Sequence, residues 1–200
     1  MDTILTQIQN TSAVEWLGTA TGLIGVYLSI KEKALAWLFF ILCYVLYVYL
    51  SFTASLFAAM VLNAIFIPIS AWGWLQWGRS SKNSDKPEVR ISKTNPTQCL
   101  WLGCIAILGT AGLGLFLQNF TEGALPFLDA FATVVSLIAQ WMLGRKLLEN
   151  WLAWIVADSC FIILWGWQGY WVALLMFLVF TFMATTGYLS WRKEISEIEK

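Results

Sequence analysis

Long apolar runs alternate with short polar breaks along the whole chain. Seven runs can be marked, at residues 14–30, 34–50, 54–77, 98–117, 125–144, 148–165 and 169–190. Each is near the roughly 20 residues that carry an α-helix across a bilayer, where every backbone polar group must be satisfied within its own segment. The pattern predicts an all-α integral membrane protein with seven transmembrane helices. Residues 78–97, rich in Ser, Asn, Pro and basic side chains, read as a flexible linker between two halves. The expected organisation is an N-terminal segment at 1–13, a first three-helix group at 14–77, the linker at 78–97, a connecting helix at 98–117, a second three-helix group at 125–191 and a tail at 192–200.

Sliding the sequence against itself by 114 positions aligns residues 15–77 with 129–191 without a gap. Glu15 meets Asp129, Thr19 meets Thr133, Lys31 meets Arg145, Trp37 meets Trp151, Gly73 meets Gly187, Trp74 meets Tyr188 and Trp77 meets Trp191. Three spans, one connecting span and three more give two repeats of the same orientation, because the odd helix returns the chain to its starting face. Such 3+1+3 parallel repeats are a transporter plan in which substrate binds between the halves near mid-membrane.

Charge sets the expected orientation. Lys31, Lys33, Arg79, Lys82, Lys86, Arg90, Lys93, Arg145, Lys146, Arg192, Lys193 and Lys200 all fall on one side of a seven-span layout, and the other side carries none. That bias places the N-terminus outside and the C-terminus in the cytoplasm of a bacterial inner membrane. Composition agrees: 59% of residues are hydrophobic, the mean hydropathy is +0.69, and the 12 basic and 12 acidic residues balance. No basic patch suggests a nucleic-acid partner, and Asp2 with the polar run from Gln7 to Ser12 argues against a cleaved signal peptide. With no His, and four Cys at unrelated spacings, no metal site, cofactor site or catalytic group can be assembled. The partners expected are a small-molecule substrate and the lipid bilayer, with a homo-oligomer left open.

The candidate chemistry lies in the second half. Asn150, Trp154 and Asp158 repeat at i, i+4 and i+8, so on a helix they form one stripe that is polar, aromatic and anionic. A carboxylate within hydrocarbon costs at least about 2.5 kcal/mol, so Asp158 is expected to face protein or a water-filled cavity. No Lys or Arg lies in any span to neutralise it, which leaves room for a cationic substrate or for a structural anion held by hydroxyls and indoles. Asp129, Thr133, Ser136 and Gln140 form a second polar stripe, read either as a pathway or as interhelical hydrogen bonding. Trp37, Tyr44, Trp74, Trp141, Trp154 and Tyr188 lie deep enough to cage a flat cation, since aromatic faces attract one by about 0.5–2 kcal/mol. Asn63 is a weaker candidate for the same cavity. Trp16, Trp77, Trp101, Trp165, Trp167, Tyr170, Trp171 and Trp191, near span ends, read as interfacial belt.

The run Arg145-Lys146, Glu149-Asn150-Trp151 and Trp154, with Gln140-Trp141 upstream, Gly73-Trp74 and Trp77 closing the first repeat, and Leu128-Asp129 opening the second, resembles the Pnu vitamin transporters, best known for their nicotinamide riboside members of the PnuC type. The resemblance runs from about Glu15 to Trp191. It implies a seven-helix fold like that of the SWEET sugar transporters, and uptake of nicotinamide riboside by facilitated diffusion trapped by phosphorylation inside the cell. It also implies that Gln140, Asn150 and Trp154 line the vitamin site. Relatives carry thiamine or riboflavin, and the nicotinamide riboside members often have Asn at the position of Asp158, so thiamine is the alternative substrate. A seven-helix retinal receptor would need a Lys in its last span, which has none. A purely structural membrane protein would leave Asp158 without a purpose.

Overall fold

The computed structural model describes residues 4–80, 89–121 and 124–198. A short helix, α1 (Ile4–Asn10), precedes seven long ones: α2 (Ala13–Ile30), α3 (Ala36–Thr53), α4 (Phe57–Ser80), α5 (Pro96–Phe120), α6 (Pro126–Gly144), α7 (Asn150–Gln168) and α8 (Trp171–Ile198). All seven are long and apolar enough to cross a membrane. Their ends follow local chemistry. Ser12 caps α2 by accepting from the Glu15 amide, Asn95 and Gln98 form a reciprocal capping box at α5, and Pro126 opens α6.

Three expectations change. The segment at 1–13 contains helix α1, whose Gln7 donates to the Gly169 carbonyl (2.7 Å) and accepts from the Val172 amide (3.2 Å), so it ties down the α7–α8 turn. Residues 192–198 continue α8 rather than forming a separate tail. The linker is shorter than 78–97, because α4 runs to Ser80 and α5 begins at Pro96; residues 81–88 lie outside the described part. Its last portion is docked. The Ser92 amide donates to the Lys146 carbonyl (3.1 Å) and the Ser92 carbonyl accepts from the Leu148 amide (2.8 Å), while Ile91 is buried in the core. Apart from that isolated bridge, the described residues contain no strand.

Six helices form a closed ring through the contacts α2·α3, α3·α4, α4·α6, α6·α7, α7·α8 and α8·α2, and α5 packs on the outside of α6. That extra cover explains why 11 of the 19 residues of α6 are buried while only Gly114 and Leu117 of α5 are.

Contacts in the ring recur at the offset of 114 residues read from the sequence. The Trp77 indole N–H donates to the Gly144 carbonyl, and the Trp191 indole N–H donates to the Ile30 carbonyl, each at 3.2 Å. The Trp37 ring meets Trp77 edge-on at 5.4 Å, and Trp151 meets Trp191 at 5.2 Å. A Cβ added at Gly73 would lie 2.5 Å from the Trp37 ring, and one at Gly187 would lie 2.7 Å from Trp151. Backbones of left-handed φ are also paired among the described residues: Glu32 (53°) with Lys146 (51°), and Ser55 (58°) with Gly169 (78°). The tryptophans at the two helix ends are thus core residues, which corrects the belt reading for Trp77 (3% exposed) and Trp191 (0%). Their N–H groups cross between the halves of the ring, and lipid-facing rings could not make those bonds. Trp16, Trp101, Trp167 and Tyr170 do lie on the surface.

Candidate functional site

The C-terminal ends of α2, α4, α6 and α8 converge at the end of the bundle that carries the basic turns. There Glu32 and Lys146 pair at 2.7 Å, and the Lys146 ammonium sits 5.0 Å from the Trp77 ring centre. An aromatic cluster around Trp37, Phe40, Trp77, Trp151 and Trp191 closes this end. The half-buried Tyr44 (α3), Trp154 (α7) and Tyr188 (α8) pack against the same cluster. Four of the six caging aromatics, Trp37, Tyr44, Trp154 and Tyr188, therefore share one region. Tyr44 extends it as a ladder, stacked on Phe66 at 4.7 Å and facing Phe40 at 6.4 Å.

Trp74 is not brought in: it is 42% exposed on the outside of α4. Trp141 stands apart from the cluster, parallel to Trp72 at 6.5 Å with the Arg145 guanidinium 5.8 Å from its ring. Trp37 is wholly buried with its indole N–H unpartnered, as is that of Trp151.

Polar candidates divide by whether their own helix satisfies them. Ser136 donates to the Ala132 carbonyl (2.8 Å) and Asn63 to the Ala59 carbonyl (2.8 Å), each one turn back, so neither hydrogen bond reaches a neighbouring helix. Thr133 is buried on the same face of α6 as Ser136 and Gln140. Gln140, fully buried, donates to the Ser70 hydroxyl on α4 at 3.1 Å, and its carbonyl oxygen has no partner. Asn150, also fully buried at the first residue of α7, donates to the Leu147 carbonyl (2.6 Å), and its side-chain oxygen is likewise free. Buried amide oxygens without protein donors are uncommon.

Asp158 lies two turns into α7 from Asn150 and is only 4% exposed. Among the described residues, none hydrogen-bonds to its carboxylate or pairs with it. A buried carboxyl group without a cation or donor is costly to ionise, and that cost falls when a cation arrives beside it. The described residues thus offer aromatic faces on α3, α7 and α8, amide groups on α6 and α7, and a carboxyl group on α7. The described residues contain no group of three His, Cys, Asp or Glu that could hold a metal.

The sequence reading missed Ser70, Phe66 and Phe40. Ser70 and Phe66 lie in the apolar run of α4 that also holds Pro68, and a lone hydroxyl there gives no periodic signal. The Glu32–Lys146 pair had a visible signal, opposite charges 114 residues apart, but Lys146 enters the sequence reading chiefly through its charge and Glu32 does not enter it.

The family model described as nicotinamide mononucleotide transporter matches residues 12–193. The nicotinamide riboside transporter PnuC of Escherichia coli (strain K12) is 26% identical over 204 residues, covering 90% of this chain and 85% of that protein. The protein of the same description from Neisseria mucosa is 28% identical over 191 residues, covering 89% and 72%. The crystal structure of the vitamin B3 transporter PnuC superposes with a TM-score of 0.75 at 25% identity, covering 96% of this chain and 86% of that one. The match spans every long helix of the ring and the connecting helix outside it, and the chain belongs to the nicotinamide mononucleotide transporter family.

Proposed function

We propose that this chain carries nicotinamide riboside across a bacterial inner membrane by facilitated diffusion, drawn inward by phosphorylation of the vitamin inside the cell. The observation that carries the reading is Asp158, a carboxylate 4% exposed, without a described partner, on the helix that also presents Trp154. The nicotinamide ring of the riboside is a planar aromatic cation, and the described residues offer that carboxylate no cation of their own. The names of the relatives point to the same substrate. Gln140 and Asn150, each with a free amide oxygen, hold the sugar and carboxamide groups; Trp154, Tyr44 and Tyr188 face the ring. Thiamine is the second reading, because it is also an aromatic cation and Asp158 serves it equally well. The protein moves its substrate without chemical change.

In this reading the two halves are parallel repeats, and the equivalent contacts of Trp77 and Trp191 support that plan. The basic end faces the cytoplasm and the N-terminus faces outside. In a background without native cysteines, a membrane-impermeant thiol reagent should label Asn119→Cys in sealed cells and not Lys33→Cys; the reverse pattern would invert the topology.

Titration calorimetry of the purified protein against nicotinamide riboside, thiamine and riboflavin tests the site. Asp158→Asn keeps size and hydrogen bonding but removes the charge. It should weaken a cationic vitamin at least tenfold, about 1.4 kcal/mol, and leave neutral riboflavin unaffected. Unchanged nicotinamide riboside affinity in a well-folded Asp158→Asn protein would remove the carboxylate from the site, and loss of thiamine alone would make thiamine the substrate.

A further inference from the structure

The docked strap from Val89 to Asn95 builds a second polar feature beside the aromatic cluster, to which its Ile91 belongs. A cavity of about 350 Å³ opens between the strap, the end of α4, the start of α5 and the α6–α7 turn. Its walls include Gln76, Arg90, Lys93, Asn95, Gln98 and Arg145. Among the described lining side chains three are cationic and none is anionic.

Two described carboxylates near this end are held elsewhere. Glu149 accepts from the Thr94 amide (2.8 Å) and hydroxyl (2.6 Å), and Glu32 takes Lys146. Among the described residues, no carboxylate pairs with Arg90 or Arg145. Arg145 is held over the Trp141 ring, so its charge is positioned before any ligand arrives. The other wall is anchored as well: Ile91 is buried, and Ser92 makes two backbone hydrogen bonds to the α6–α7 turn. Positive charge from two separately anchored segments, the strap and the end of α6, with amide side chains of α4 and α5 beside them, suits an anion with several oxygens, which guanidinium groups grip by charge-assisted hydrogen bonds.

We propose that this cavity is a binding site for a phosphate ester, formed by Arg90 on the strap and Arg145 at the end of α6. It lies where membrane spans end, the depth of lipid headgroups, and basic pockets between transmembrane helices hold anionic headgroups in this way. A soluble phosphate monoester presents the same chemistry from the aqueous side. A bound phosphate bridges the strap to the α6–α7 turn and stiffens the junction that carries Lys146.

The test uses the full-length protein in uncharged detergent and reads its apparent melting temperature during titration with phosphatidylglycerol, with phosphatidylcholine as the neutral control, or with adenosine monophosphate. A rise with phosphatidylglycerol alone assigns the site to lipid, and a rise with the nucleotide alone assigns it to a soluble ester. In either case Arg90→Gln/Arg145→Gln should raise the half-saturating concentration at least tenfold. Lys31→Gln/Lys33→Gln, which removes two charges from the same end but outside the cavity, should leave it within twofold. If the double variant does not fold, Arg90→Gln alone carries the test with a threefold or larger effect. No rise with either probe, or equal losses in the cavity and control variants, would overturn the proposal. Because vitamin binding is not the readout, the outcome is independent of the substrate assignment.

Discussion

Glu32 and Lys146 are equivalent positions 114 residues apart, both in left-handed backbone conformations, and they meet each other at 2.7 Å. Two residues exchanged by a two-fold relation can touch only where the relating axis passes between them. On the proposed parallel-repeat plan the ion pair therefore lies at the centre of the junction between the halves, beside the indole hydrogen bonds of Trp77 and Trp191. Its charges are asymmetric although its backbone is not. Glu32→Lys or Lys146→Glu brings like charges together at a site where the side chains are only 24% and 10% exposed, and each should lower stability by about 1–3 kcal/mol. The exchanged pair, Glu32→Lys with Lys146→Glu, should recover at least half of the loss, with the new lysine approaching Trp191 in place of Trp77. Thermal unfolding of the four proteins in detergent checks this; an additive loss in the exchanged protein would contradict the symmetry of the junction.

The close ring contacts predict a sharp difference among glycines. Gly73→Ala and Gly187→Ala drive a methyl group to within 2.5 Å and 2.7 Å of the buried indole rings of Trp37 and Trp151. Overpacking of that kind costs about 1–3 kcal/mol. Gly78→Ala meets nothing within 4 Å and should be neutral or slightly stabilising, because alanine favours helix. Equal melting temperatures for Gly73→Ala and Gly78→Ala would show that the Trp37 ring is loosely held.

The turns at the opposite end offer a gain. Ser55 occupies a left-handed conformation (φ 58°) whose equivalent in the second half is Gly169 (φ 78°). A non-glycine residue there stores about 1 kcal/mol or more of backbone strain. Ser55→Gly should raise the melting temperature, and Gly169→Ala, which adds strain and no contact, should lower it. A destabilised Ser55→Gly protein would mean that the serine side chain contributes more than the strain removes.

Much of the fold was legible because a bilayer imposes length and polarity on every span. Boundaries of six of the seven helices moved by three residues at most, while α8 runs eight residues past its expected end, and Trp37 and Trp151, 114 residues apart, each pack against a glycine at the same offset, Gly73 and Gly187. Which face of a helix looks inward was less legible. Helices that are apolar all round carry no stripe, so Trp74 and Tyr188, aligned in sequence, take different places: Trp74 is exposed and Tyr188 packs on the core cluster. The docked strap was hidden for the opposite reason. In a polar run, a lone Ile91 gives no period, and its hydrogen bonds run through the backbone of Ser92, which any residue supplies. In the candidate site, Asp158 stood out because charge is rare in a span, whereas Ser70 became meaningful only once Gln140 was found beside it.

Transport itself is the most direct test of the central claim. Purified protein reconstituted into liposomes should pass labelled nicotinamide riboside down its concentration gradient, saturably, without ATP or an ion gradient, and stop at equal concentrations on the two sides. Asp158→Asn and Trp154→Leu should each slow that flux at low substrate at least tenfold while the proteins remain folded. Flux no greater than that of empty liposomes, or flux that both variants leave unchanged, would contradict the account.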